Sequence, residues 1–218
     1  LIVRLLHRAD NGKLLLFFNG WGMDDTLFSE WAAPEFDVMT VCDYTTCESL
    51  PDLSGYAELH LAAWSLGVRA AAEVLAGAPY RFESATAFNG TLRSVDAEYG
   101  IPPAVFAGTV ANWGDEHARD HFFRRLAGRA EFRRPARSWE SQRDELAALE
   151  TRFSASPVPP NPFRTAWIGG RDRIIPAAAQ RNFWGGEPVA VVGLPDAPHD
   201  LFAAFRSFGE VADVGRNR

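Results

Sequence analysis

Short apolar runs, each ended by Gly, Asp or Asn, alternate along this chain with helix-like stretches. That rhythm constrains the fold more than any other feature, because it belongs to a mostly parallel sheet covered by helices on its faces. Strands are expected over residues 14–19, 38–44, 59–64, 85–89, 165–168 and 189–192. Residues 2–7 add an edge strand, expected to pair with 14–19 through the Asp10-Asn11-Gly12 turn. The clearest helix, 66–78, follows a strand directly and stops before Pro79.

Between residues 93 and 161 the strand rhythm lapses. A Pro-containing loop at 101–103 precedes a helix expected over 116–133. A second helix is expected from Ser138 or Ser141 to Phe153, with Trp139, Leu146, Leu149 and Phe153 at near-helical spacing. The Pro-rich stretch 156–162 then ends regular structure. The expected organisation is one α/β domain, a core of 1–92 and 162–218 with a helical lid of 93–161 inserted before the last two strands.

Composition excludes several classes. The 47% apolar content over 218 residues is that of a packed globular chain. No apolar run approaches the ~20 residues that cross a bilayer. Residues 1–7 lack the features of a secretory signal, and the chain starts without an initiator Met, as a trimmed chain would. Cys42 and Cys47 are too few for a disulfide scaffold and show no zinc spacing, so a cytoplasmic protein is expected. A net charge of −6 argues against nucleic acid as partner. Against that average, residues 119–137 hold seven arginines and two acids, an island of +5.

Four motifs can carry chemistry. In Ala63-Trp64-Ser65-Leu66-Gly67, a serine stands at a strand–helix junction between small residues, where its hydroxyl can be exposed on a sharp turn. An ordinary helix N-cap is the competing account of Ser65. In Phe18-Asn19-Gly20-Trp21-Gly22, two glycines free the backbone to turn the Trp21 N–H inward. Paired with the Leu66 N–H, it could bind an oxyanion; an Asn-Gly turn is the plainer alternative. Ile168-Gly-Gly-Arg-Asp172 puts a carboxylate just beyond a strand end. Pro198-His199-Asp200 follows the last strand and leads into an apolar helix expected over 201–208. His7 and His60 fall on strands. His117 and His121 share a helix face at i, i+4 spacing without a third ligand, so no metal and no cofactor are expected. The order Ser65, Asp172, His199, each after its own strand, is that of α/β-hydrolases. Asp196 and Asp200 are the alternatives to Asp172 as partner of His199.

The motifs at 18–24, 64–67, 88–91 (Phe-Asn-Gly-Thr) and 198–200 together resemble the BioG family of pimeloyl-acyl-carrier-protein methyl ester esterases over nearly the whole chain. The resemblance implies hydrolysis of the methyl ester at the far end of a pimeloyl chain borne on phosphopantetheine by a small acidic carrier protein. Ser65 would attack, His199 would act as base, Asp172 would orient it, and the Trp21 and Leu66 N–H groups would hold the oxyanion. The arginine island fits an acidic carrier, and equally the solvated face of an exposed helix, since Arg is a good helix former. Arg125, Arg129 and Arg133 would form a ridge on one helix, joined by Arg124, with Phe122 covering an acyl slot. A thioesterase, a short-chain esterase and a non-catalytic hydrolase-like binding protein are the alternatives. A monomer is the default.

Overall fold

The computed structural model describes residues 1–46 and 49–215; Cys47 lies outside the described residues. Seven strands form one sheet: β1 (Ile2–His7), β2 (Lys13–Phe18), β3 (Asp37–Cys42), β4 (Glu58–Trp64), β5 (Ser84–Phe88), β6 (Thr165–Gly169) and β7 (Ala190–Leu194). Their order is β1-β3-β2-β4-β5-β6-β7, and every pairing except β1 with β3 is parallel. Helices α1 (Leu66–Leu75), α5 (Ala177–Trp184) and α6 (Phe208–Asp213) pack on this sheet. Strand β2 explains its own apolar run: it is central, with both faces covered, and Leu14 to Phe18 have no exposed surface. The chain is an α/β fold of the hydrolase type.

The expected hairpin of β1 with β2 does not form. Strand β1 pairs antiparallel with β3, Ile2 opposite Cys42. Both edges of β2 are taken by β3 and β4. The linking segment crosses the end of β3, where the Ala9 and Asp10 N–H groups donate to Asp37 Oδ1 at 2.7 and 2.9 Å.

Three helices, α2 (Pro103–Asn112), α3 (Glu116–Ala127) and α4 (Trp139–Ala155), lie between β5 and β6. Helix α2 occupies a stretch expected to open as loop, with Pro103 in the first turn, where its missing N–H costs nothing. Helix α3 stops six residues short of the expected end. Gly128 adopts φ 66° and its N–H donates to Arg124 O at 3.0 Å, a left-handed stop that glycine takes without strain. The ridge expected from Arg125, Arg129 and Arg133 therefore does not exist as one helix face. Helix α4 begins at the Ser138 cap. The apolar helix expected over 201–208 is also absent. A short 3-10 turn at Phe202–Ala204 gives way to extended backbone at Phe205, and α6 starts after the Ser207 cap. Among the described residues no helix is long and apolar enough to cross a membrane.

Candidate active site

Ser65 sits between β4 and α1 at φ 58°, ψ −128°, a conformation costly for a side chain-bearing residue. Its N–H donates to Phe88 O at 2.9 Å. The turn is so tight that a Cβ on Gly67 would lie 2.2 Å from Asn19 O, and one on Gly90 2.4 Å from Ser65 O. The Ser65 side chain makes no capping hydrogen bond to α1, so the N-cap account of this residue fails. Its Oγ lies 2.9 Å from His199 Nε2 instead.

His199 Nδ1 lies 2.8 Å from Asp172 Oδ2. Asp172 is buried and held on every side. Its Oδ1 accepts from the Ile174 and Ile175 N–H groups at 2.8 and 3.0 Å, and Oδ2 also accepts from Gln180 Nε2 on α5 at 2.8 Å. With the imidazole proton on Nδ1 facing this carboxylate, Nε2 is left to accept from the serine hydroxyl. Asp196 is spent on Arg171 at the surface, 2.6 Å away. Asp200 is buried and accepts from the Phe202 N–H at 2.9 Å; burial pushes its carboxyl up, while that N–H and His199 pull it down. The ring of His199 faces Asp172 rather than either neighbour in its own loop.

Three parts of the chain fix that loop. Asn89, at the end of β5 with φ 43°, donates through Nδ2 to Pro198 O at 2.9 Å and His199 O at 2.8 Å. Its Oδ1 accepts from the Gly169 N–H at 2.7 Å. Trp64 Nε1 donates to His199 O at 3.1 Å. The Gly169-Gly170 pair lets the loop lie against β6: a Cβ on either would fall 2.4 Å from a proline carbonyl oxygen. Beyond the histidine, Phe202 packs against Trp64, Phe17 and Phe28 at ring distances of 5.2 to 5.6 Å.

The Phe18-Asn19-Gly20-Trp21-Gly22 motif ends β2 in a turn closed by Met23 N–H to Gly20 O at 3.2 Å. Gly22 occupies φ 72°, as the third position of a type II turn requires. Among the described residues the Trp21 N–H has no hydrogen-bond partner, and the Leu66 N–H, first in α1, has no intrahelical one. Trp21, Leu66, Ser65 and His199 line one narrow cleft, together with Ile101, Phe106 and Phe122 of α3. A hydroxyl, an imidazole and a carboxylate in this order, with free N–H groups beside an apolar slot, can support acyl transfer through serine.

The arginine island divides. Arg133 contacts Ser29 and Glu30, Arg134 binds Asp120 at 2.7 Å, and Arg137 binds the buried Glu145 at 2.5 Å. Arg119 donates to Trp113 O at 2.7 Å. Arg125 contacts Arg173 O and stands at the mouth of the cleft. Arg124 and Arg129 are exposed and make no ion pair among the described residues. His117 and His121 are exposed on α3. The bracing roles of Asn89, Gln180, Gln142 and Glu145 were not legible beforehand, because polar residues that serve as braces carry no local pattern.

The crystal structure of BioG from Haemophilus influenzae superposes with a TM-score of 0.87 at 32% identity, covering 98% of this chain and all of that one. An enol-lactonase from Burkholderia xenovorans shares the fold, with a TM-score of 0.70 at 15% identity over 100% of this chain and 96% of that one. In sequence, an uncharacterised protein of Haemophilus influenzae is 37% identical over 207 residues, 92% of this chain and 94% of that one. A malonyl-[acyl-carrier protein] O-methyltransferase of Bacteroides fragilis is 35% identical over 179 residues, 79% of this chain but only 36% of that longer protein. The family described as pimeloyl-ACP methyl esterase BioG matches residues 4–211, and the chain belongs to this BioG family.

Proposed function

We propose that the protein is a serine esterase that hydrolyses the methyl ester of a pimeloyl chain held as a thioester on an acyl carrier protein. The observation that carries it is the buried line Ser65 Oγ–His199 Nε2, 2.9 Å, and His199 Nδ1–Asp172, 2.8 Å, beneath an apolar slot. Ser65 Oγ attacks the ester carbonyl as its proton passes to His199 Nε2. The Trp21 and Leu66 N–H groups receive the oxyanion, and Asp172 stabilises the imidazolium. On collapse the imidazolium protonates the leaving methoxide. Water, deprotonated by the same nitrogen, then frees the carboxylate and restores the serine.

The Bacteroides fragilis relative supports a carrier-bound methyl ester as substrate. A segment like this chain makes up about a third of a protein named for methylating a carrier-bound acid. Putting a methyl on and taking it off are complementary chemistries. The segment 93–161 acts as the lid. Arg124 and Arg129 with Arg125 at the slot mouth offer charge to an acidic carrier, and Phe122 closes over the chain. Arg133 has a weaker claim, because Glu30 already pairs with it.

The test is incubation with a carrier-bound pimeloyl methyl ester, followed by mass. Loss of one methylene unit with the thioester intact is the expected result. Release of the free carrier thiol would make the protein a thioesterase. No change in mass, with no labelling of Ser65 by a fluorophosphonate, would leave a binding protein.

A further inference from the structure

Outside the triad, a second buried polar cluster joins α4 to the Trp21-Gly22 turn. Glu145 has no exposed surface. Its Oε2 accepts from the Gly22 N–H at 3.1 Å and from Arg137 Nη1 at 2.5 Å, and its Oε1 accepts from the Tyr44 N–H at 2.9 Å. One turn earlier on the helix, buried Gln142 donates from Nε2 to Gly22 O at 3.0 Å. The backbone carbonyl of Gln142 accepts from the Trp21 indole at 2.7 Å, and its Oε1 accepts from the Trp113 indole at 3.1 Å. Both polar groups of Gly22 and the ring of Trp21 therefore end on α4.

A buried carboxylate is costly unless paired and hydrogen-bonded. Burial pushes the Glu145 carboxyl up, while Arg137 and the Tyr44 N–H pull it down. Packing alone would be served by an apolar side chain. What the carboxylate adds is direction: it is the acceptor that fixes the peptide following Trp21, one residue from the N–H beside Ser65. Arg152 fastens the same helix further along, donating to Tyr44 O at 2.8 Å and pairing with Glu73 at 3.0 Å.

We propose that Glu145 is a positioning residue which, by holding the Gly22 N–H, aims the Trp21 N–H at the oxyanion. Helix α4 is then a fixed part of the catalytic machinery, and any opening of the lid falls to α2 and α3. Ser65 as nucleophile and Trp21 N–H as oxyanion donor are presupposed.

Glu145→Met keeps the length of the side chain and removes both acceptor oxygens, so the Gly22 N–H loses its partner in any rotamer. On a methyl ester substrate, kcat is expected to fall about 10- to 100-fold, below the loss of a whole oxyanion donor. KM should stay within about twofold, since the acyl slot is untouched. Affinity for an acyl trifluoromethyl ketone, whose tetrahedral adduct places an oxyanion at the same N–H groups, should fall in parallel with kcat. Should Glu145→Met fail to fold, Gln142→Met, which frees only Gly22 O and the Trp113 indole, is expected to show the same split at about three- to tenfold. A folded variant with kcat within about twofold of wild type, or a kcat loss without loss of ketone affinity, overturns the proposal. Failure of the underlying esterase assignment is seen in the wild type itself, which would then resist fluorophosphonate labelling and bind the ketone no better than an ordinary ester.

Discussion

Asn89 is the brace whose removal tests the geometry most directly. Asn89→Ala deletes three hydrogen bonds at 2.7 to 2.9 Å in a site with no exposed surface. His199 O keeps its bond from Trp64 Nε1, but Pro198 O and the Gly169 N–H lose their partner. Two orphaned groups cost about 1–3 kcal/mol each, and holding alanine at φ 43° adds about 1 kcal/mol. The sum is about 5 kcal/mol, which for a chain of this size lowers the melting temperature by about 10–20 °C. The same change frees the loop that aims His199. A misplacement of about 1 Å is worth ~10²-fold in rate, so ester hydrolysis should fall by about that factor below the melting transition. Circular dichroism melting and methyl ester turnover measured together decide the matter. A melting temperature within about 3 °C of wild type with activity within about threefold would refute the bracing role.

Other expected outcomes follow from the same contacts. Ser65→Ala and His199→Ala should each lose ~10³-fold or more in turnover while melting cooperatively, and Ser65→Ala should abolish fluorophosphonate labelling; retained labelling would place the nucleophile elsewhere. For Asp200, burial holds the folded-state carboxyl above its ordinary value of 3.8. As pH rises past that value the unfolded chain gives up its proton first, so stability falls until Asp200 also ionises in the fold. Asp200→Asn, which can still accept from the Phe202 N–H, should therefore melt higher than wild type at neutral pH. The gain should shrink below pH 3.8, and activity should be kept because His199 Nδ1 faces Asp172; loss of activity would implicate the wrong carboxylate. Charge reversal of Arg124 and Arg129 together should weaken turnover of a carrier-bound ester by about tenfold at low salt, with the gap closing as salt screens it, and leave a small soluble ester unaffected. Equal effects on both substrates would remove these residues from carrier docking.

What the sequence revealed and what it concealed differ for physical reasons. Central strands were legible because a strand covered on both faces must be apolar at every position, as β2 is from Leu14 to Phe18. The three side chains of the site were legible because each stands just past a strand end beside small residues. Partner choice was not: the residues of β1 do not change with the strand they pair with, and the bonds that the Ala9 and Asp10 N–H groups donate to Asp37 turn the chain away from a hairpin with β2. Helix α3 was overrun because the charge pattern of residues 129–133 suits a helix, yet Gly128 in the left-handed region ends it. Asn89 and Glu145 were silent as braces, since a hydrogen bond to a backbone group a hundred residues away leaves no periodicity to detect; Gln180 was silent because a single polar position on α5 does not announce its bond to Asp172.

Strain, finally, gathers where the chemistry is. Of the four non-glycine residues with positive φ among the described residues, Asp43, Ser65 and Asn89 follow β3, β4 and β5 in turn, and only Asp10, in the link from β1 to β2, lies apart from these strand ends. Each is paid for by local contacts: Thr45 and Arg137 on Asp43, the Phe88 carbonyl on Ser65, the histidine loop on Asn89. At Ser65 the cost can be measured apart from the hydroxyl by comparing two variants that both lack it. Ser65→Gly relieves about 1–3 kcal/mol of backbone strain and returns about 0.5–1 kcal/mol through a looser unfolded chain. It should therefore be more stable than Ser65→Ala by about 1 kcal/mol, or about 2–4 °C in melting temperature, though neither hydrolyses ester. Ser65→Gly melting about 1–4 °C below Ser65→Ala would mean that the turn is unstrained, and that Ser65 reaches His199 without any stored backbone energy.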